Sequence, residues 1–179
     1  MEISQAVTAE DLDLTPVFGE LDDDTKARVL EELRRAEAAL ARIRDELELE
    51  GEALTLQRYP SGQTEVSSSL KGAAGKLTFE VGLRPRNFFS ESPWQPGRPA
   101  RTMVTDAWDV DGAVKVMVRR PLGKHKYTIE ETPEEIEEQR YESAADAAAA
   151  LAAVADRIAE LARSREPTID AWAPPEPAT

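Results

Sequence analysis

The sequence predicts an α+β domain, an antiparallel meander of about six short strands with two long helices packed on one side. Two observations carry this prediction. Residues 22–51 and 143–166 repeat apolar residues at helical spacing, whereas the stretch between them alternates with a period of two. Gly/Pro turns punctuate that alternation at short intervals, as in a meander. The expected layout is an acidic flexible tail over 1–21, one domain over 22–166, and a Pro-rich flexible tail over 167–179.

Residues 1–21 carry only acidic charges, with Leu12, Leu14, Val17 and Phe18 among them. A flexible tail is the first expectation for such a mixture. The alternative is that 12–18 docks on the sheet or on a partner. Asp22, Asp23 and Asp24 then open the first long helix, where negative charge suits the N-terminal end of the dipole. Val29, Leu33, Ala36, Leu40, Ile43 and Leu47 form its apolar stripe, and Gly51 is the expected stop. A stripe this narrow also suits a seam with a second copy of the chain.

Strands are expected at 54–59, 65–70 and 76–83, joined by turns at Pro60-Ser61-Gly62 and Gly72 to Gly75. Residues 84–101 hold four prolines, which predicts a long irregular loop. Residues 101–120 read as a β-hairpin turning at Asp109-Val110-Asp111-Gly112. In that register Trp108 faces Val114 and Val104 faces Val118, which gathers the apolar side chains on one side. The D-x-D-G run fails as a calcium loop, because Val118 falls where the bidentate glutamate belongs.

Pro121-Leu122-Gly123 predicts a turn and 124–130 a last strand. Thr132-Pro133-Glu134-Glu135 has the form of a capping box, which predicts a short, very acidic helix. Ser143 caps the second long helix, whose stripe is Ala147, Leu151, Val154, Ile158 and Leu161. Pro167 is its expected stop.

The chain has no cysteine and one histidine, His125, which removes thiolate chemistry and His-pair metal sites. No metal site, catalytic set or cofactor is predicted. No membrane span or signal peptide is apparent, and a cytoplasmic protein is expected. The net charge of −13 is uneven: residues 53–128 hold 12 Lys/Arg against 6 Asp/Glu, a balance of +6, which leaves −19 elsewhere. This acidity also suits a high-salt cytoplasm.

The leading functional expectation is a non-enzymatic binding protein, an adaptor, chaperone or regulator. It would present an Arg/aromatic loop and its acidic tails to a macromolecular partner, with a protein the favoured partner. The loop supplies Arg84, Arg86, Phe88, Phe89, Trp94, Arg98 and Arg101, and the basic run beyond it supplies Arg119, Arg120, Lys124 and Lys126. Aromatic rings beside guanidinium groups suit a protein hot spot and equally a single-stranded nucleic acid, which is the first alternative. In the structural explanation, the three rings only plug one end of the sheet. The second alternative is a helix-grip-like small-molecule pocket or active site, lined by Tyr59, Trp108, Tyr127 or His125.

Overall fold

The computed structural model describes residues 3–72, 77–91, 96–97, 101–124 and 126–169. The elements in chain order are β1 (Ile3–Ala6), α1 (Thr15–Phe18), α2 (Asp23–Glu46), β2 (Thr55–Arg58), β3 (Thr64–Lys71), β4 (Leu77–Glu91), β5 (Arg101–Gly123), β6 (Lys126–Tyr141) and α3 (Ala144–Ile169). The strands form one antiparallel sheet in the order β1-β2-β3-β4-β5-β6, with the helices on one side, so the α+β meander holds.

Both long helices start as their sequences require. Asp22 caps α2 by accepting from the Thr25 N–H at 2.7 Å, and Ser143 accepts from the Asp146 N–H at the start of α3 at 3.3 Å. The α2 stripe Val29, Leu33, Ala36, Leu40 and Ile43 is fully buried, as are Ala147, Leu151 and Ile158 of α3. Alanines 148, 152, 155, 159 and 162 are buried too, and these small side chains let the helices approach closely. Arg35 pairs with Asp156 and Arg163 with Glu46, so residue numbers rise together along both helices and they run parallel. The stripes therefore meet within one chain, and the α2 seam predicted for a second copy is already filled.

Gly51 lies beyond the helix it was expected to stop: α2 ends at Glu46 with Leu47 as its C-cap. The glycine serves a close approach instead. Its φ is +126°, and an added Cβ would stand 2.5 Å from the Ser69 carbonyl oxygen of β3. At the other end of the domain, α3 continues past Pro167 to Ile169. Pro167 lacks the N–H that would bond the Arg163 carbonyl, so the helix passes it with the loss of one backbone bond close to its end. Residues 170–179, most of the predicted Pro-rich tail, lie outside the described residues.

Residues 3–18 are part of the fold, which moves the start of the domain ahead of Asp22. β1 pairs with β2, the Val7 N–H donates to the Leu54 carbonyl, and Leu14, Val17 and Phe18 are buried. The buried indole of Trp108 donates to the Val17 carbonyl at 2.9 Å, and its ring centroid lies 6.0 Å from that of Phe18. Of the two expectations for this segment, docking of 12–18 describes the arrangement.

The largest corrections concern the centre of the sheet. The predicted hairpin at 101–120 is one strand: β5 passes straight through the expected turn, pairing Asp109 with Arg84, Val110 with Leu83, Asp111 with Gly82 and Gly112 with Val81. Alternation explains why. Trp108, Val110 and Val114 are buried on the helix side, while Asp109 and Asp111 face outward to arginines. Gly112 does not take the left-handed conformation that a turn would need. Its missing Cβ would lie 2.7 Å from Val154 of α3, so it marks a close helix–sheet approach. An irregularity remains here as a register shift against β6.

Residues 132–141 of the predicted acidic helix belong to β6, and Pro133 pairs with Lys115. β6 ends the sheet, where a missing N–H costs no ladder bond if it faces outward. Similarly, much of the predicted 84–101 loop is strand: β4 runs to Glu91 and β5 begins at Arg101. Pro85 fits because β3 pairs with β4 only as far as Leu83, leaving one edge of β4 free beyond it. The turn predicted at 121–123 is also strand, with the bend following at Lys124. Three of the six strands are thus long where short ones were expected.

Candidate functional site

β5 outruns its neighbours in both directions. Among the described residues and apart from the register shifts at Asp106 and Asp111, its residues 108–116 are paired on both sides, residues 101–107 only with β4, and residues 117–123 only with β6. Each end is therefore a two-stranded ribbon standing beyond the body of the sheet. At about 3.3 Å per residue, residues 101 and 119 lie up to about 60 Å apart along the strand.

The predicted contact residues divide between these arms. On the β4/β5 arm, Arg86 is exposed beside a register shift, Phe88 pairs with Val104, Phe89 with Met103, and Arg101 with Glu91. Trp94 and Arg98 lie outside the described residues. On the β5/β6 arm, Arg119 pairs with Ile129, Arg120 with Thr128, and Lys126 with Gly123, while Lys124 is exposed in the bend. His125 lies outside the described residues. The structure thus distributes the predicted surface over opposite ends of β5.

Arg84 belongs to neither arm tip. It lies on the open face of the sheet, where it forms a bidentate pair with Asp111 at 2.9 and 3.2 Å and a further pair with Glu65 at 3.3 Å. Gly82 makes the space: an added Cβ would stand 2.9 Å from the guanidinium and 3.0 Å from the Asp111 carboxylate. Hydrogen bonding to Asp111 raises the Arg84 pKa above its ordinary value, followed by the charges of Asp111, Glu65 and Glu138, with burial opposing. Glu65 also accepts from the Tyr59 hydroxyl at 2.6 Å and from Ser67 at 3.1 Å.

Neighbouring pairs continue the pattern across the open face. Arg140 meets Asp109 at 2.9 Å, which raises the arginine pKa chiefly through that hydrogen bond, and Lys115 meets Glu80 at 2.8 Å. The sequence reading missed this network. Its signal was the period-two run Glu65, Ser67, Ser69 in β3, which places a polar row opposite the buried Val66, Ser68 and Leu70.

Two clefts open on this face. One of about 400 Å³ is lined by Thr55, Gln57, Tyr59, Glu65, Ser67 and Arg84 among others. The second, of about 620 Å³, is lined by Glu80, Asp111, Lys115, Glu135, Glu137 and Glu138 among others. Two more, of about 610 and 360 Å³, lie by α1 and by the Tyr59–Gln63 turn. None of these four is lined by a residue of α2 or α3. The residues named for a helix-grip-like pocket do not converge: Trp108 is buried on the helix side, Tyr59 lines the open face, and Tyr127 pairs with Pro121 on an arm.

Among the described residues, no three His, Cys, Asp or Glu side chains are grouped to hold a metal ion, and no helix is long and apolar enough to cross a membrane. No family model, curated protein or solved structure matches the chain.

Proposed function

We propose that the chain is a non-enzymatic binding protein, an adaptor, chaperone or regulator, whose β-ribbon arms engage a macromolecular partner, most simply another protein. The observation that supports this reading is the overreach of β5, which sets its terminal residues beyond the helix-covered core. A fold needs no such ribbons to bury its core, and a two-stranded ribbon gains little stability by itself. The ribbons also carry most of the Arg and aromatic residues that suit an interface.

Arm excision tests the reading. In one variant residues 88–104 are replaced by Asn-Gly, and in another residues 118–130 are replaced likewise. A third variant keeps both arms and changes Phe88, Phe89 and Trp94 to Ser. Each is checked for cooperative unfolding and compared with the full chain in cross-linking capture from its native extract. Loss of a specific partner with the core intact is the expected result. Retention of every partner by all three folded variants overturns it.

A second reading, binding of single-stranded nucleic acid, has one observation in its favour. Residues 119–126, around the bend of the β5/β6 arm, hold Arg119, Arg120, Lys124 and Lys126 and no acid. Such binding would weaken steeply with salt and with neutralisation of these four residues. Failure to retain labelled single strands at low salt removes it.

A further inference from the structure

We propose that the outer edge of β6, over residues 132–141, is a docking ledge for an extended Lys/Arg-rich peptide segment, which adds to the sheet as a further strand. The ledge is distinct from the arm tips and does not rest on the arm reading.

The two edges of the sheet differ. β1 is four residues long, too short to template much pairing, whereas β6 has 16 residues and stands last in the strand order. Along 132–141, β5 pairs with only one side of β6. The outward N–H and C=O groups therefore have no strand partner among the described residues. An edge of this length recruits another strand unless something discourages it.

Charge decides which strand it can recruit. Glu134, Glu135, Glu137 and Glu138 fall within one short run of this edge. A second copy of β6 laid against it would set carboxylate against carboxylate, which is destabilising. A cationic strand meets the opposite situation. Arg140 is already engaged by Asp109, and Glu138 lies 3.8 Å from Arg84, but Glu135 and Glu137 are exposed and make no ion pair with a described residue.

The open-face cleft of about 620 Å³ reaches this edge; it is lined by Glu135, Glu137 and Glu138 of β6 and by Glu80 and Asp111, which pair with Lys115 and Arg84 in the same lining. A strand added beside β6 points every second side chain toward that face. Lysine or arginine at those alternate positions would enter a cleft lined by five carboxylates against two cations, Arg84 and Lys115. Main-chain pairing would then supply affinity and the cleft would select positive charge.

The test uses the full chain and a short fluorescein-labelled alternating Lys-Val peptide. Its controls are an alternating Glu-Val peptide and a Lys-Val peptide N-methylated at every second residue, which keeps the charge but removes donors. The expected result is saturable binding of the Lys-Val peptide, about tenfold weaker after N-methylation. The Glu-Val peptide should not bind. The triple variants Glu135→Gln, Glu137→Gln, Glu138→Gln and Glu135→Lys, Glu137→Lys, Glu138→Lys should each bind at least about tenfold more weakly, the second more than the first. Hydrogen exchange should slow at the backbone amides of 132–141 when peptide is added. Equal binding of the N-methylated peptide, undiminished binding by the charge variants, or slowed exchange only elsewhere each overturns the proposal. So does concentration-dependent dimerisation that protects these amides without peptide, because a second copy would then occupy the edge.

Discussion

The middle of β5 shows two faces of one strand under different rules. Trp108, Val110 and Val114 point toward the helices and are buried, while Asp109 and Asp111, between them in sequence, point outward and meet arginines. The covered face is governed by volume, to the point that Gly112 leaves room for Val154. The open face is governed by charge pairing in contact with water, where each contact is worth little individually. Beyond residues 108–116, β5 is paired on one side only among the described residues. Stability therefore concentrates on the covered face.

The sharpest way to break this contrast is to cut into the covered face. Leu151→Ala and Ile158→Ala each remove a fully buried side chain between α3 and the core. Each should lower the unfolding free energy by about 2–5 kcal/mol in denaturant titrations. A loss below ~0.5 kcal/mol at both sites would mean that α3 does not pack as described.

Gly112→Ala should cost about 1–3 kcal/mol through overpacking, since the new methyl would press on Val154. A double-mutant cycle with Val154→Ala should recover much of that loss. Strict additivity would show that the helix does not approach the strand here.

Trp108→Phe keeps most of the ring volume but leaves the buried Val17 carbonyl without the indole donor. A loss of about 1–3 kcal/mol is expected, together with faster proteolysis of residues 3–18. An unchanged N-terminal segment would show that the bond does not hold it.

Arg84→Met belongs at the lower end of the scale. The side chain is 44% exposed and its partners remain solvated, so screening should hold the loss to about 1 kcal/mol or less. A loss comparable to Leu151→Ala would mean that the open face is as structural as the covered one.

The Asp22 cap gives the smallest effect and a defined pH signature. Its hydrogen bond with the Thr25 backbone N–H lowers the carboxyl pKa below the ordinary 3.8. A depressed carboxylate contributes stability that is fully present above its unfolded pKa and is lost as pH falls through the folded one. The stability gap between the parent chain and Asp22→Ala should hold at neutral pH and shrink once pH falls below about 3.8. A gap independent of pH would rule out an ionised cap.

Where local signal and tertiary environment agreed, the sequence was legible. The 4,3 spacing through Val29, Leu33, Ala36, Leu40 and Ile43 led directly to a buried helix face, and Asp22 and Ser143 marked the helix starts. The misreadings came where a local turn signal met a tertiary constraint. Asp109-Val110-Asp111-Gly112 has the composition of a turn, but its aspartates are outward residues paired to Arg84 and Arg140, and its glycine accommodates α3. Thr132-Pro133-Glu134-Glu135 has the composition of a helix start, but the end of the sheet also tolerates its proline and carboxylates. Pro85 looked like a strand breaker because nothing local reveals that β3 ends its pairing at Leu83. The candidate contact residues were visible as composition, whereas their division between two arms depends on the length of β5.

Residue-resolved hydrogen exchange along β5 tests that division most directly. Amides within residues 108–116 that bond to β4 or β6 should exchange slowly, including those at 110–112, and amides within 101–107 and 117–123 should exchange much faster. Fast exchange at 110–112 between two protected flanks would contradict the continuous strand and restore a hairpin turn at Asp109 to Gly112.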